Sequence, residues 1–85
     1  MNRYQVWIAA NADKELDSLT VVLRQRIIDK FDEIRKDPRG TDSKKLDDHI
    51  YRIRAGDYRI AYEVRDAEKM VVVTKIRHRR DVYRG

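Results

Sequence analysis

The sequence has no cysteine, one proline, three glycines and seven aromatic residues among 85. The missing thiols exclude a disulfide scaffold, a cysteine-ligated zinc or iron-sulfur site and a thiol nucleophile, and they suit a reducing compartment. With 41% hydrophobic residues the chain is too apolar for a disordered tail, and with so little glycine and proline it is too regular for low complexity. No apolar run approaches the ~18 residues of a membrane span, and the opening MNRYQVWIAANADKE lacks the apolar stretch of a signal peptide. A cytoplasmic protein with no membrane association is expected. What remains is one small domain, residues 1–85, able to bury roughly 60% of its unfolded surface.

Charge is what the chain has in abundance, and it is unevenly placed. Residues 1–50 hold ten Lys/Arg and ten Asp/Glu, whereas residues 51–85 hold ten against five, so the whole net charge of +5 lies in the second part. Eight of those ten cations are arginine, whose planar fork suits bidentate contact with phosphate. The asymmetry points to a polyanionic partner, most simply nucleic acid. A basic surface kept for solubility is the plainer alternative.

Periodicity gives the organisation. Tyr4, Val6 and Ile8 alternate as a first strand. Ala12, Leu16 and Leu19 then recur at helical spacing over 10–19, with Asn11 as the expected N-cap. Thr20 caps a second helix, in which Leu23, Ile27, Ile28, Phe31 and Ile34 form one apolar stripe and Asp37-Pro38 stops the turn pattern. Residues 39–48, polar apart from Leu46, are expected to form a surface loop. Three strands follow, 50–55, 58–64 and 70–76, separated by Gly56-Asp57 and by residues 66–69. The predicted class is α+β: an N-terminal strand, an antiparallel helix hairpin, then a three-stranded antiparallel meander covered on one face by the helices.

The first hairpin has a definite register. Tyr51 and Ile53 must share the core face with Tyr58, Ile60 and Tyr62, and a two-residue Gly56-Asp57 turn of type II′ pairs Ala55 with Tyr58. Arg54 then lies opposite Arg59, and Arg52 opposite Ala61. Like charges facing each other across a ladder destabilise it, so these arginines are hard to explain as scaffold, and an anion held between them removes the conflict. The competing account has them splayed into water or paired with Asp57 and Glu63, because exposed repulsion costs little.

The densest basic segment runs from Lys75 through Arg77, His78, Arg79 and Arg80 to Tyr83 and Arg84. His78 is suited to proton transfer near neutral pH, and Tyr83 to stacking on a base or losing its proton in a positive field. Lys75, Arg77, His78, Arg80 and Arg84 are the expected RNA contacts.

These residues carry a resemblance. YRIRAGDYRIAYEV at 51–64, followed by VVVTKIRHRRDVY at 71–83, is similar to the RelE branch of the RelE/ParE toxin superfamily, over nearly the whole chain. The resemblance implies a microbial-ribonuclease-like RelE fold and a toxin of a type II toxin-antitoxin pair. It implies ribosome-dependent endoribonuclease activity on messenger RNA in the decoding site, an antitoxin partner, and neither metal nor small-molecule cofactor. It also places the family's catalytic positions on Arg52, Arg54, Arg59, Arg79 and Tyr83, with Arg77 standing in if the tail alignment slips. The reaction implied is attack of a ribose 2′-hydroxyl on the adjacent phosphate, leaving a cyclic phosphate and a free 5′-hydroxyl. Where the best-known members have lysine this chain has Arg52 and Arg54, and arginine does not give up its proton, so neither serves as general base. Two other readings stay open at this point: a ParE-like poison of DNA gyrase without nuclease activity, and a plain RNA-binding domain. Against the last, seven aromatics, mostly on the expected core face, are few for a stacking platform.

Overall fold

The computed structural model describes residues 3–78; Arg79, Arg80, Tyr83 and Arg84 lie outside the described residues. The chain runs β1 (Gln5–Ile8), α1 (Ala10–Asp17), α2 (Val21–Lys36), β2 (Ser43–Lys45), β3 (Ile50–Ala55), β4 (Tyr58–Arg65) and β5 (Met70–His78). The strands form one sheet in the order β1-β5-β4-β3-β2, with β1 parallel to β5 and every other pair antiparallel. The expected meander is therefore present. It is widened by a parallel strand on one edge and by β2 on the other. None of the helices among the described residues is long and apolar enough to cross a membrane.

Local chemistry sets the helix ends. Thr20 accepts from the Leu23 amide at 3.3 Å, as expected of an N-cap, and Asp37 is extended (φ −152°, ψ 89°), as a residue before proline should be. The expectation for Asn11 fails. The Ala9 amide is still bonded to the Val73 carbonyl at 2.9 Å, so the chain leaves the sheet only there and the helix starts at Ala10. Asn11 consequently sits inside the first turn, where its side-chain amide donates to the Thr74 carbonyl at 3.0 Å. The expected 39–48 loop is also corrected, because Ser43, Lys44 and Lys45 pair with Ile53, Arg52 and Tyr51. A short edge strand of lysines has no alternating apolar signal to read, and that composition guards the edge against further pairing.

Ala12 and Leu16 of α1, Ile27, Phe31 and Ile34 of α2, and Tyr51, Ile53, Ile60, Tyr62, Val64, Val71, Val73 and Ile76 of the sheet make up most of the core. Tyr62 is fully buried, and its hydroxyl donates to the Pro38 carbonyl at 2.6 Å, fastening the end of α2 to the middle of the sheet. The hairpin register is the one alternation requires: Ala55 opposite Tyr58, Arg54 opposite Arg59, Ile53 opposite Ile60, Arg52 opposite Ala61. Gly56 has φ +62°, and Asp57 is not in the left-handed region, as a type II′ turn demands.

One irregularity decides what the last strand presents. Ala61 pairs with Lys75, yet Tyr62 pairs with Val73, so Thr74 is an extra residue, a β-bulge. A bulge inverts the in-out alternation beyond it. Val71 and Val73 point into the core before it and Ile76 after it, which turns Lys75 and Arg77 to the opposite face. The Thr74 hydroxyl donates to the Ala61 carbonyl at 3.2 Å, and Asn11 holds the Thr74 carbonyl, so the bulge is tied on two sides.

Candidate nucleic-acid interface

The face of the sheet opposite the core carries the cations in rows across the strands. Arg54 pairs with Arg59 and Arg59 with Arg77, giving three guanidinium groups on three neighbouring strands. The next row on this face is Lys44, Arg52, Ala61 and Lys75. With strands about 4.8 Å apart, each row places its charges within one or two side-chain lengths of one another. Ala61, the smallest side chain in the patch, lies between Arg52 and Lys75. The cationic area ends at the following row, Ile50, Glu63, Val72 and Trp7, where the Glu63 carboxylate accepts from Arg65 Nε at 2.7 Å.

Arg54 and Arg77 are exposed and Arg52 and Arg59 half-buried, so the row is reachable from solvent while its stems rest on the sheet. Neither Arg52 nor Arg54 forms an ion pair among the described residues. A surface of this kind suits an anion, and the planar five-donor forks of arginine match the oxygens of a phosphodiester better than ammonium groups do.

Of the residues singled out from sequence, the structure brings Arg52, Arg54, Arg59, Lys75 and Arg77 onto this face. His78 does not join them. It pairs with Tyr58 on the core side of the sheet, where the two rings meet edge to face at 5.1 Å. Adjacent to arginine in sequence, it is turned away by the strand's own alternation. Lys44 belongs to the patch, because pairing with Arg52 makes strand of a segment whose polar composition predicts a loop. The bulge that aims Lys75 and Arg77 was also missed; its signal is the phase change of the apolar residues from Val71 and Val73 to Ile76.

At the other end of β4 a separate polar cluster holds the fold. Arg39 donates through both terminal nitrogens to Asp66, at 3.0 and 2.7 Å, and through Nε to the Tyr51 hydroxyl at 3.0 Å. Tyr4 donates to the same Asp66 at 2.6 Å. These donors, Arg39 first, pull the Asp66 carboxyl down to about 2, and the bond to Asp66 raises the Tyr4 phenol. Burial pushes the Tyr62 phenol up to about 12. The cluster ties the segment after α2 to the β4–β5 turn and leaves the arginine rows alone.

The family model described as the ParE toxin of a type II toxin-antitoxin system, parDE, matches residues 6–83. No curated protein sequence matched the chain. Among solved structures, it is similar to a chain of the archaeal RelE–RelB complex from Pyrococcus horikoshii, with 27% identity, a TM-score of 0.78 and coverage of 93% of this chain and 97% of that one. It is similar to a chain of the intact RelBE toxin-antitoxin complex of E. coli, at 26% identity, a TM-score of 0.75 and coverage of 86% and 93%. A third match, from the RelB–RelE complex of Methanococcus jannaschii, has 26% identity, a TM-score of 0.71 and coverage of 91% and 94%. The five-stranded sheet with two helices on one face is thus the RelE fold, and the chain belongs to the RelE/ParE superfamily of type II toxin-antitoxin toxins.

Proposed function

We propose that this toxin is a ribosome-dependent endoribonuclease that cleaves messenger RNA in the decoding site, in the cytoplasm, and is neutralised by a cognate antitoxin. The observation that carries the reading is the row Arg54, Arg59 and Arg77, three guanidinium groups placed on neighbouring strands of the open face, the side-chain type whose fork suits phosphate. The similarity to RelE chains in complexes with RelB supports both the fold-level analogy and the antitoxin.

In the proposed reaction the ribose 2′-oxygen attacks phosphorus, its proton passing to a base, while the bond to the 5′-oxygen of the next nucleotide breaks and that oxygen takes up a proton. The products are a 2′,3′-cyclic phosphate and a 5′-hydroxyl. Arg59, flanked by Arg54 and Arg77, stabilises the extra negative charge on the phosphoryl oxygens, a role worth a few kcal/mol per well-aimed donor. Arg52 holds the neighbouring backbone. Arg79 and Tyr83 are assigned the remaining charge stabilisation and the base. Because arginine cannot take the proton, the roughly 10²- to 10⁴-fold usually supplied by general base catalysis falls to Tyr83 or to the ribosome.

The match to the ParE family model favours a second reading, a gyrase poison whose arginine face contacts protein or DNA. Cell-free translation separates the two. The wild-type protein is expected to stop synthesis, and Arg59→Ala and Arg79→Ala to abolish that arrest with the fold retained. Full arrest by either variant, or arrest absent and DNA breaks trapped on gyrase, would overturn the nuclease reading.

A further inference from the structure

The β2–β3 pairing stops where Ser43 meets Ile53, so β3 continues past it by Arg54 and Ala55 with no paired strand on that side among the described residues. The missing strand leaves a notch of about 550 Å³ lined by Lys30 of α2, Asp42, Lys44, Arg52, Ile53 and Arg54. Four cations and one carboxylate meet there. On the far side of the row, where β1 stops short of the end of β5, a smaller cavity of about 230 Å³ is lined by Asn11, Glu15, Lys75, Ile76 and Arg77. The β3 side has the larger excess of positive charge, three against one. It adjoins Arg54 at the edge end of the row Arg77, Arg59 and Arg54, and Lys44, opposite Arg52, brings the neighbouring row to the same edge.

We infer that this notch is a second phosphate subsite, in which Lys30 and Lys44 hold the phosphate next along a single RNA strand to the one at Arg54, Arg59 and Arg77, so that the RNA backbone crosses the β-strands. The inference rests on the nuclease reading for the identity of the strand and adds its direction and two ligands. Lys30 pairs with the Glu33 carboxylate at 3.0 Å, which offsets part of its own charge, while Lys44, Arg52 and Arg54 form no ion pair among the described residues. Asp42 is the opposing element: its carboxylate repels a phosphate in the notch, so removing its charge should tighten binding.

The test uses the full chain and 2′-O-methyl oligoribonucleotides, which lack the attacking hydroxyl and stay intact. A dinucleotide offers one phosphate and a tetranucleotide three. The double variant Lys30→Ala/Lys44→Ala is expected to weaken the tetranucleotide several-fold and to reduce the magnitude of its log Kd against log salt slope by about 0.7, the change that follows when one phosphate of a single strand is no longer neutralised. The dinucleotide should stay within twofold. Asp42→Asn should bind the tetranucleotide more tightly than the wild type, a gain that misfolding cannot produce. Equal losses at both lengths, which mark a general field effect, would overturn the subsite. So would no loss at either length, or no gain from Asp42→Asn. Failure of the nuclease reading shows elsewhere, as absence of new RNA ends from wild-type protein on programmed ribosomes.

Discussion

If the arginine row exists to hold an anion, the free protein should become more stable when the row is dismantled. Arg54→Gln/Arg77→Gln removes both flanking charges from Arg59 while keeping most of each side-chain stem over the sheet. Directly opposed like charges on neighbouring strands cost about 0.2–1 kcal/mol each, so relief of two such contacts should raise stability by about 0.5–2 kcal/mol at low ionic strength. For a domain of this size 1 kcal/mol moves Tm by about 4–8 °C, well within reach of a thermal melt followed by circular dichroism. The gain should fade at 1 M sodium chloride, where the screening length falls from about 10 to about 3 Å. Added RNA or phosphate should stabilise the wild type and barely move the variant, because a ligand stabilises only the state it binds. A variant no more stable than wild type at low salt, or a gain that persists unchanged at 1 M, would refute the reasoning: the arginines would then be splayed and mutually indifferent.

Tyr62→Phe leaves the Pro38 carbonyl without its donor and should cost about 1–3 kcal/mol of unfolding free energy in urea titrations, with the m-value unchanged. Asp66→Asn should remove an acid-dependent part of stability. The folded carboxyl sits at about 2, below the usual 3.8, so its contribution is complete above about pH 4 and is lost as pH falls towards 2; wild type and variant should converge over that window in acid unfolding curves. At high pH the sign reverses for Tyr62, whose phenol at about 12 stabilises the fold below pH 10 and ceases to do so as pH rises through 12. Deleting Thr74 makes Val73 and Lys75, already opposite Tyr62 and Ala61, consecutive in a regular ladder, so soluble folded protein with Lys75 and Arg77 on the same face is expected, whereas Thr74→Ala keeps the bulge and costs about 1 kcal/mol, as read by solubility and melting.

What could be read from the residues was what local rules govern. The α2 stripe apart from Ile28, which is exposed, the Thr20 cap, the stop before Pro38 and the 51–62 hairpin register all follow from spacing within a few residues, and the opposed Arg54 and Arg59 come with that register. What could not be read depends on partners distant in sequence. The parallel docking of β1 on β5 sets where α1 begins, and so takes Asn11 out of the cap and onto the Thr74 carbonyl. Strand β2 is strand only because β3 lies beside it. His78 looks like part of a basic tail, but a bulge four residues earlier fixes its face, and only the shift from Val71 and Val73 to Ile76 hints at that inversion. Arg39, one of several polar residues in the expected loop, proves to bind Asp66, 27 positions away.

The most direct test of the arginine row as the seat of RNA cleavage is to supply purified wild-type protein and Arg59→Ala to ribosomes programmed with a defined message and map the new RNA ends. The account predicts 5′-hydroxyl ends within the decoding site from the wild type, only when ribosomes are present, and none from the variant. Identical ends from both proteins, or no ends from either, would contradict it.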